Sequence, residues 1–131
     1  MGRKRPNTPR TNRAQKKSRS LRSLRVSDAF REFVLDQLAE LGDVAARSMF
    51  GGLGLYSDGV FFGIIARDAL YLKVNDDNRA EYEAAGMEPF NPYRERSKAM
   101  KYYEVPLVVL ESPMELAAWA RRSIAAARGV C

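Results

Sequence analysis

Glycines and aromatic residues recur from Arg47 to Val74 in a pattern that predicts consecutive β-strands joined by tight turns. The stretch reads RSMFGGLGLYSDGVFFGIIARDALYLKV and holds five glycines and five aromatic residues. Asp58-Gly59 is typical of a hairpin turn, because glycine adopts positive φ without a Cβ clash. Arg67-Asp68-Ala69 indicates a second reversal, and the runs between the turns are rich in residues that suit a half-buried strand. The stretch therefore predicts an antiparallel meander.

Helices are predicted on both sides of this meander. Ser27-Asp28 supplies N-cap oxygens for an amphipathic helix that ends at Gly42. The apolar positions of this helix recur at steps of three and four residues: Phe30, Phe33, Val34, Leu38 and Leu41. Val44 to Phe50 is predicted as a first strand that leads into the meander. Asn75-Asp76 caps a short polar helix that ends at Gly86.

The C-terminal part of the chain adds one strand and one helix. Lys101 to Val105 is predicted as a strand that leaves the sheet at Pro106. Ser112-Pro113-Met114-Glu115 combines an N-cap, a first-turn proline and a capping box. In the helix that follows, Trp119 is expected to be a core anchor between helix and sheet. The resulting order is α-β-β-β-α-β-α, an α+β fold with an antiparallel β-meander sheet and flanking helices.

Charge divides the chain into a tail and a domain. The formal net charge is +6, from 22 Lys/Arg and 16 Asp/Glu residues. Residues 1–27 hold ten of the basic residues and no acidic one, so the remainder, with 12 basic and 16 acidic residues, stands at −4. Because residues 1–26 contain few large apolar side chains, we predict a disordered basic tail there and a single domain at 27–131. A non-native extension is the alternative interpretation of the tail.

The residue types that most catalysis needs are missing or badly placed. The sequence has no histidine, which is the commonest general base and metal ligand. The single cysteine, Cys131, lies at a chain end without an activating partner. The longest apolar stretch, Gly59 to Ala66, is too short to span a bilayer. We expect a cytoplasmic protein that is not an enzyme and uses neither a cofactor nor a metal.

Two motifs that resemble ligand sites have structural explanations. Gly51-Gly52-Leu53-Gly54 lacks the Gly-Lys-Ser/Thr ending of a phosphate-binding loop, and a strand follows it. These glycines are expected to allow a bulge or the close approach of a neighbouring element. Asp76-Asp77, with Glu81 and Glu83, lacks EF-hand spacing and is explained by helix capping and a solvated face.

One aromatic and basic cluster has the composition of a nucleic-acid surface. Tyr102-Tyr103 lies near Lys98 and Lys101, and aromatic rings beside cations bind single strands by stacking. Adjacent residues of a strand point to opposite faces, however. One of the two tyrosines is therefore expected in the core.

A set of motif residues follows a distinctive order through the predicted domain. Its members, which we interpret as structural, are Met49, Phe50, Gly51, Gly52, Gly54, Tyr56, Gly63, Lys73, Pro89, Phe90, Met100, Tyr102, Tyr103 and Trp119. In this order they resemble the N-terminal domain of the TfoX/Sxy family of bacterial competence regulators. Full-length regulators of that family also carry a helical C-terminal domain, so the chain resembles a stand-alone TfoX N-terminal-like protein.

The resemblance implies a bacterial regulatory domain that acts through protein–protein contacts, with transcription machinery as the implied partner and transcription regulation as the implied role. An alternative is sequence-independent nucleic-acid binding by the tail, since basic side chains neutralise phosphates without reading bases. The tail residues that would make such contacts are Arg3, Lys4, Arg5, Lys16, Lys17, Arg19, Arg22 and Arg25. No membrane partner is expected.

Overall fold

The computed structural model describes residues 24–91 and 101–129, which form four α-helices and one five-stranded sheet. The helices are α1 (Asp28–Gln37), α2 (Arg79–Ala84), α3 (Leu107–Leu110) and α4 (Pro113–Arg128), and a 3-10 turn, Ala39–Leu41, follows α1. The strands are β1 (Val44–Met49), β2 (Gly52–Ser57), β3 (Val60–Ala66), β4 (Ala69–Lys73) and β5 (Tyr102–Glu104).

The sheet is an antiparallel meander in which each strand pairs with the next, in the order β1-β2-β3-β4-β5. β1 and β2 pair without interruption, from Val44 with Ser57 to Met49 with Gly52. The register of β2 against β3 shifts between Leu55 and Tyr56. The predicted α+β class, with its antiparallel sheet and flanking helices, is confirmed. Four strands precede α2, because residues 44–49 join the meander, and the short helix α3 stands between β5 and α4.

Residues with a left-handed backbone conformation (positive φ) form the three turns that join β1 to β2, β2 to β3 and β3 to β4. Phe50-Gly51 has φ of 52° and 89°, and Asp58-Gly59 has φ of 51° and 78°. Two successive left-handed residues form a type I′ turn, whose twist matches that of the flanking strands. Arg67-Asp68 makes the third reversal, with φ of 50° and 55°. Ser27 supports it, because its N–H and hydroxyl donate to the Asp68 carboxylate at 2.8 and 3.0 Å.

Side chains cap the two long helices as the sequence predicts. The Ser27 hydroxyl accepts a hydrogen bond from the Phe30 N–H at 3.2 Å. The Ser112 hydroxyl accepts one from the Glu115 N–H at 3.3 Å. Each bond satisfies a donor that the helix leaves unpaired.

The short polar helix α2 begins later than predicted. The Asn75 side-chain oxygen accepts hydrogen bonds from the N–H groups of Asp77 and Asn78, at 2.9 and 3.3 Å. An asparagine that bonds the backbone two or three residues ahead forms a turn that competes with helix. The helix therefore starts at Arg79 and not directly after Asn75.

The main core lies between one face of the sheet and the helices. α4 packs on β3 and β4, and α1 packs on α4. The Gln37 amide also donates to the Leu110 carbonyl oxygen at 2.8 Å, which ties α1 to α3. The buried side chains of this core are Val34, Leu38, Leu55, Phe62, Ile65, Leu70, Leu72, Val74, Tyr82, Val105, Val109, Leu110, Leu116 and Ala120.

A second apolar cluster lies on the opposite face of the sheet, which we call the open face because none of the described helices covers it. Its buried members are Leu24, Ile64, Ala66, Tyr71, Phe90 and Tyr102. Leu24 is only 1% exposed, and its carbonyl oxygen accepts a hydrogen bond from the Arg67 N–H at 3.2 Å. Residues 24–26, which the sequence assigned to the tail, therefore pack with the domain. The rest of the predicted tail, residues 1–23, lies outside the described residues.

Candidate functional site

The glycine motif at the β1-β2 hairpin lies directly beneath the segment that precedes α1. Gly52 is buried, and a Cβ there would stand 2.6 Å from the Ile65 carbonyl oxygen and 3.2 Å from the Leu24 Cβ. A Cβ on Gly51 would stand 3.5 Å from the Arg25 backbone nitrogen. The protein's own chain thus occupies the space on the Cβ side of these two glycines, which explains the absence of side chains there.

On the open face, the missing side chain of Gly54 lets two aromatic rings pack closely over the sheet. A Cβ on Gly54 would meet a ring carbon of Phe61 at 3.1 Å and one of Tyr56 at 3.3 Å. These rings stack on each other, with centroids 5.1 Å apart and planes 26° apart. The Tyr102 ring follows, 5.4 Å from the Phe61 ring. Tyr56, Phe61 and Tyr102, from three strands, form what we call the aromatic row.

A cation lies at each end of the aromatic row. The Arg47 guanidinium is 5.1 Å from the centroid of Tyr56, and the Lys73 ammonium is 5.2 Å from the centroid of Tyr102. Burial raises the pKa of Tyr102 to about 12, so its hydroxyl is neutral at physiological pH. These rings are already in contact with one another and with the two cations, which gives the row a packing role.

Pro89 and Phe90 close the edge of the sheet beyond β5. Pro89 forms an antiparallel bridge with Tyr103, and the Phe90 N–H donates to the Tyr102 carbonyl oxygen at 2.6 Å. The buried Phe90 ring packs against the Tyr71 ring, with centroids 4.8 Å apart. Pro89 and Phe90 therefore cover the outer edge of β5, which no other strand of the described chain pairs with.

Three further motif residues differ in their surroundings. Gly63 is buried in β3, where a Cβ would meet the Leu72 side chain at 3.1 Å. Met49 packs against the cluster on the open face. Phe50, at the tip of the first hairpin, is 69% exposed. Met100 lies outside the described residues.

Tyr103 points to the face opposite Tyr102, as the alternation of a strand predicts. Its hydroxyl donates to the Glu83 carboxylate at 3.1 Å, and its ring lies 5.9 Å from that of Tyr82. The two adjacent tyrosines therefore do not share one surface. Lys101 is exposed, and Lys98 lies outside the described residues.

Trp119 lies at the rim of the main core. Its ring meets the Tyr82 ring edge-on, at 4.7 Å between centroids and 72° between planes. The Arg122 guanidinium is 5.8 Å from the Trp119 ring. Trp119, which the sequence predicted as a core anchor, is half-buried and packs against the main core, while the Tyr82 ring of α2 beside it is fully buried.

Three acidic residues around α2, Asp76, Glu81 and Glu83, have partners within the protein. Arg122 makes two hydrogen bonds to the Glu81 carboxylate, at 3.2 and 3.1 Å. Asp76 forms an ion pair with Arg79. Within residues 24–91 and 101–129, no group of three Cys, Asp or Glu side chains is arranged to hold a metal ion. No helix in these ranges is long and apolar enough to cross a membrane.

An exposed apolar surface, which the sequence did not single out, lies where α3 turns into α4. Leu107, Val108 and Met114 are 65%, 74% and 74% exposed, and we call these three residues the apolar corner. Large contiguous apolar patches mark protein interaction sites, which makes this corner a candidate for one. Glu111, in the link between the two helices, and Glu115, in α4, are exposed and add negative charge around it.

The sequence does contain an indication of the apolar corner, namely the four successive apolar residues Leu107–Leu110. A single helical turn that packs on a core buries one side, so four successive apolar residues cannot all be covered. Val109 and Leu110 are buried, and Leu107 and Val108 face outward.

Of the eight basic residues proposed for nucleic-acid contact, one, Arg25, lies within the described residues. Arg25 is exposed beside the glycine hairpin. Arg3, Lys4, Arg5, Lys16, Lys17, Arg19 and Arg22 lie outside the described residues.

Comparison with known proteins identifies the family of this chain. The family model of the TfoX N-terminal domain matches residues 36–127 of this chain, a range that includes all five strands. The chain is also similar to the DNA transformation protein TfoX1 of Aliivibrio fischeri, with 30% identity over 78 residues, or 59% of this chain. The match spans 37% of the length of that relative. The chain belongs to the TfoX N-terminal domain family.

Proposed function

We propose that this protein is a non-enzymatic regulatory domain, related to competence, that acts by binding another protein. Membership of the TfoX N-terminal domain family and the similarity to a DNA transformation protein support this role. Transcription machinery is the class of partner that we propose for it. The observation that carries the proposal is the apolar corner at the α3-α4 junction.

The apolar corner has the properties of a protein-binding surface. Leu107 and Val108 share one short helix, and Met114 lies in the first turn of α4, two residues after the link Glu111-Ser112. Burying such side chains contributes about 25 cal/mol for each Å² of apolar area removed from water, and the entropic cost of association offsets part of this gain. The neighbouring carboxylates Glu111 and Glu115 favour a partner that presents apolar residues together with Lys or Arg.

The test is affinity capture of partners from the native cell with two matched variants. Leu107→Ser combined with Val108→Asn removes apolar surface while leaving the core intact, so each change should alter stability by less than about 0.5 kcal/mol. Phe50→Asn removes a similarly exposed apolar side chain from the β1-β2 hairpin, outside the apolar corner, and serves as the control. We expect the double variant to lose a partner that the wild type and Phe50→Asn retain. Equal capture by a folded double variant would contradict the proposal.

A second candidate function is nucleic-acid binding by the basic residues that precede the domain. The observation that favours it is the segregation of charge, with ten basic and no acidic residues in positions 1–27. Counterion release would make such binding steeply dependent on salt and insensitive to sequence.

The buried position of Leu24 dictates how this second candidate is tested. Deleting residues 1–23 removes nine basic residues, takes the net charge from +6 to −3 and keeps Leu24 in place. Duplex DNA binding should then disappear while the thermal stability stays near that of the full chain. Undiminished binding by the shortened chain would rule out the tail as the binding element.

A further inference from the structure

The two edges of the sheet differ in how the chain covers them. Beyond β5, the segment Glu88–Phe90 adds backbone hydrogen bonds, including one from the Glu104 N–H to the Glu88 carbonyl oxygen at 3.1 Å. β1 pairs with β2 on one side, and no other strand of the described chain pairs with its outer side. β1 is therefore the open edge of the sheet in the part of the chain that the structure describes.

The first hairpin determines which groups of β1 point outward. Met49 and Gly52 flank a two-residue type I′ turn, so they form the hydrogen-bonded pair that closes the hairpin. Hydrogen-bonded and non-hydrogen-bonded pairs alternate along an antiparallel ladder. Val44, Ala46 and Ser48 consequently direct their N–H and C=O groups away from β2, toward the outer side.

β1 lacks the features by which proteins usually protect an edge strand. It contains no proline, its pairing with β2 has no bulge, and its one charged residue is Arg47. The Arg47 guanidinium lies over the Tyr56 ring on the neighbouring strand, 5.1 Å from its centroid. This contact draws the charge inward over the sheet, where it does little to repel an approaching strand.

We propose that β1 pairs with β1 of a second copy of this chain, antiparallel about a two-fold axis at Ala46. In this register, Ala46 exchanges two hydrogen bonds with Ala46 of the second copy. Val44 pairs in the same way with Ser48 of the other chain, on both sides of the axis. The outward groups of all three residues are then satisfied, and the two sheets become one ten-stranded sheet.

Side-chain charge favours this register over the register whose axis is shifted by one residue. With the axis at Ala46, Arg47 lies opposite Ala45 of the second copy. Moving the axis by one residue, to Arg47, places the two Arg47 side chains directly opposite each other, and like charges in that position destabilise a sheet. The chosen register also keeps the longest run of outward-pointing pairs.

The exposed Phe50 fits the same two-fold arrangement. Phe50 lies just after β1, four residues from Ala46, and Gly42 lies just before β1 at the same separation, so the axis brings Phe50 near Gly42 of the second copy. A Cβ on Gly42 would have no neighbour within 4 Å, so the space around it is free. A surface groove beside Gly42 is lined by residues of β1 and of the adjacent strand β2 with its turn: Gly42–Ala45, Arg47, Tyr56 and Asp58-Gly59. An isologous interface requires such matching of a protruding group with a recess at the same distance from the axis.

The test is the molar mass of the full chain, measured by light scattering over a wide dilution series in enough salt to screen the basic tail. We expect twice the chain mass at high concentration. Ala46→Pro removes an outward donor without touching the β2 ladder, and it should give a folded monomer. A wild type that stays monomeric throughout, or a folded Ala46→Pro variant that still dimerises, would overturn the proposal.

A second pair of variants keeps the test decisive if Ala46→Pro does not fold. Phe50→Asn creates the Asn-Gly dipeptide that type I′ turns favour, so it should preserve or raise the melting temperature. We expect it to weaken self-association by at least about tenfold, since exposed aromatic residues dominate interface energies. Ala80→Gln, at an exposed position of α2, is the control and should leave the association unchanged. Equal association by the wild type and Phe50→Asn would also count against the proposed interface.

Discussion

Leu24 packs directly on Gly52, and this contact holds the segment before α1 against the β1-β2 hairpin. A Cβ on Gly52 would stand 3.2 Å from both the Cβ and the carbonyl oxygen of Leu24. The glycine motif and the N-terminal segment are therefore one structural unit, although they lie far apart in the sequence. The absence of a side chain at position 52 is what permits the approach.

Gly52→Ala should lower the free energy of unfolding by roughly 1–3 kcal/mol, the range for overpacking. The added methyl group would meet the Ile65 carbonyl oxygen at 2.6 Å, and backbone in a paired strand has little freedom to move. Gly54→Ala is the matched comparison, because its nearest neighbours are ring edges of Phe61 and Tyr56, which can shift. Its cost should be at most about 1 kcal/mol. Urea melts that gave the reverse order would contradict this account of the motif.

Leu24→Ala should destabilise the protein by roughly 2–5 kcal/mol, the range for truncating a buried leucine. Leu24 is fully buried, so the deletion of residues 1–26 should be as harmful as the point mutation. The deletion of residues 1–23 should be harmless by comparison. Thermal melts of the three proteins measure the difference, and a stable 1–26 deletion would show that Leu24 contributes little.

Tyr82→Phe should be neutral or should stabilise the protein by up to about 1 kcal/mol. The hydroxyls of Tyr82 and Ser123 are buried and lie close enough for Ser123 to lower the pKa of Tyr82, but neither makes a hydrogen bond of good geometry within the described residues. Phenylalanine keeps the ring contacts with Trp119 and Tyr103 and removes a polar atom that burial penalises. A loss of more than about 1 kcal/mol in urea melts would reveal a favourable hydrogen bond at this hydroxyl.

Stability should fall as the pH rises from about 10 to about 12. Burial is the main cause that raises the pKa of both Tyr82 and Tyr102 to about 12, from 10.0 in the unfolded chain. Below pH 10 both states hold these protons, so the pKa shifts leave stability unchanged there. Between the two pKa values the unfolded chain ionises first, which costs up to about 1.4 kcal/mol per pH unit for Tyr82. Tyr82→Phe should make the measured decline shallower, and an unchanged slope would contradict the assignment.

Local signals in the sequence were sufficient for the meander and its caps. The Asp58-Gly59 turn and the hydroxyls of Ser27 and Ser112 act within a few residues of themselves, so their roles follow from the chain around them. The packing of Leu24 over Gly52 joins distant parts of the chain, and no periodicity encodes it. The aromatic row likewise depends on the pairing of β5 with β4, which brings Tyr102 to Phe61.

The surfaces were the least predictable part of the molecule. Trp119 lies on the apolar stripe of α4, but the stripe does not reveal that Tyr82 from α2 takes the buried position beside it. The apolar corner depends on how a single turn, α3, is oriented against the core. The open edge at β1 becomes visible only once the cover of the opposite edge by Glu88–Phe90 is known.

The proposed function is tested most directly by photo-crosslinking at the apolar corner in the native cell. A photoreactive amino acid would replace Val108, and the same residue at the exposed Ala80 of α2 would be the control. We predict a crosslink to one defined protein from position 108, absent from position 80 and lost when Leu107→Ser is added. Crosslinks of equal pattern from both positions, or a product that survives Leu107→Ser in a folded protein, would contradict a role for this surface in partner binding.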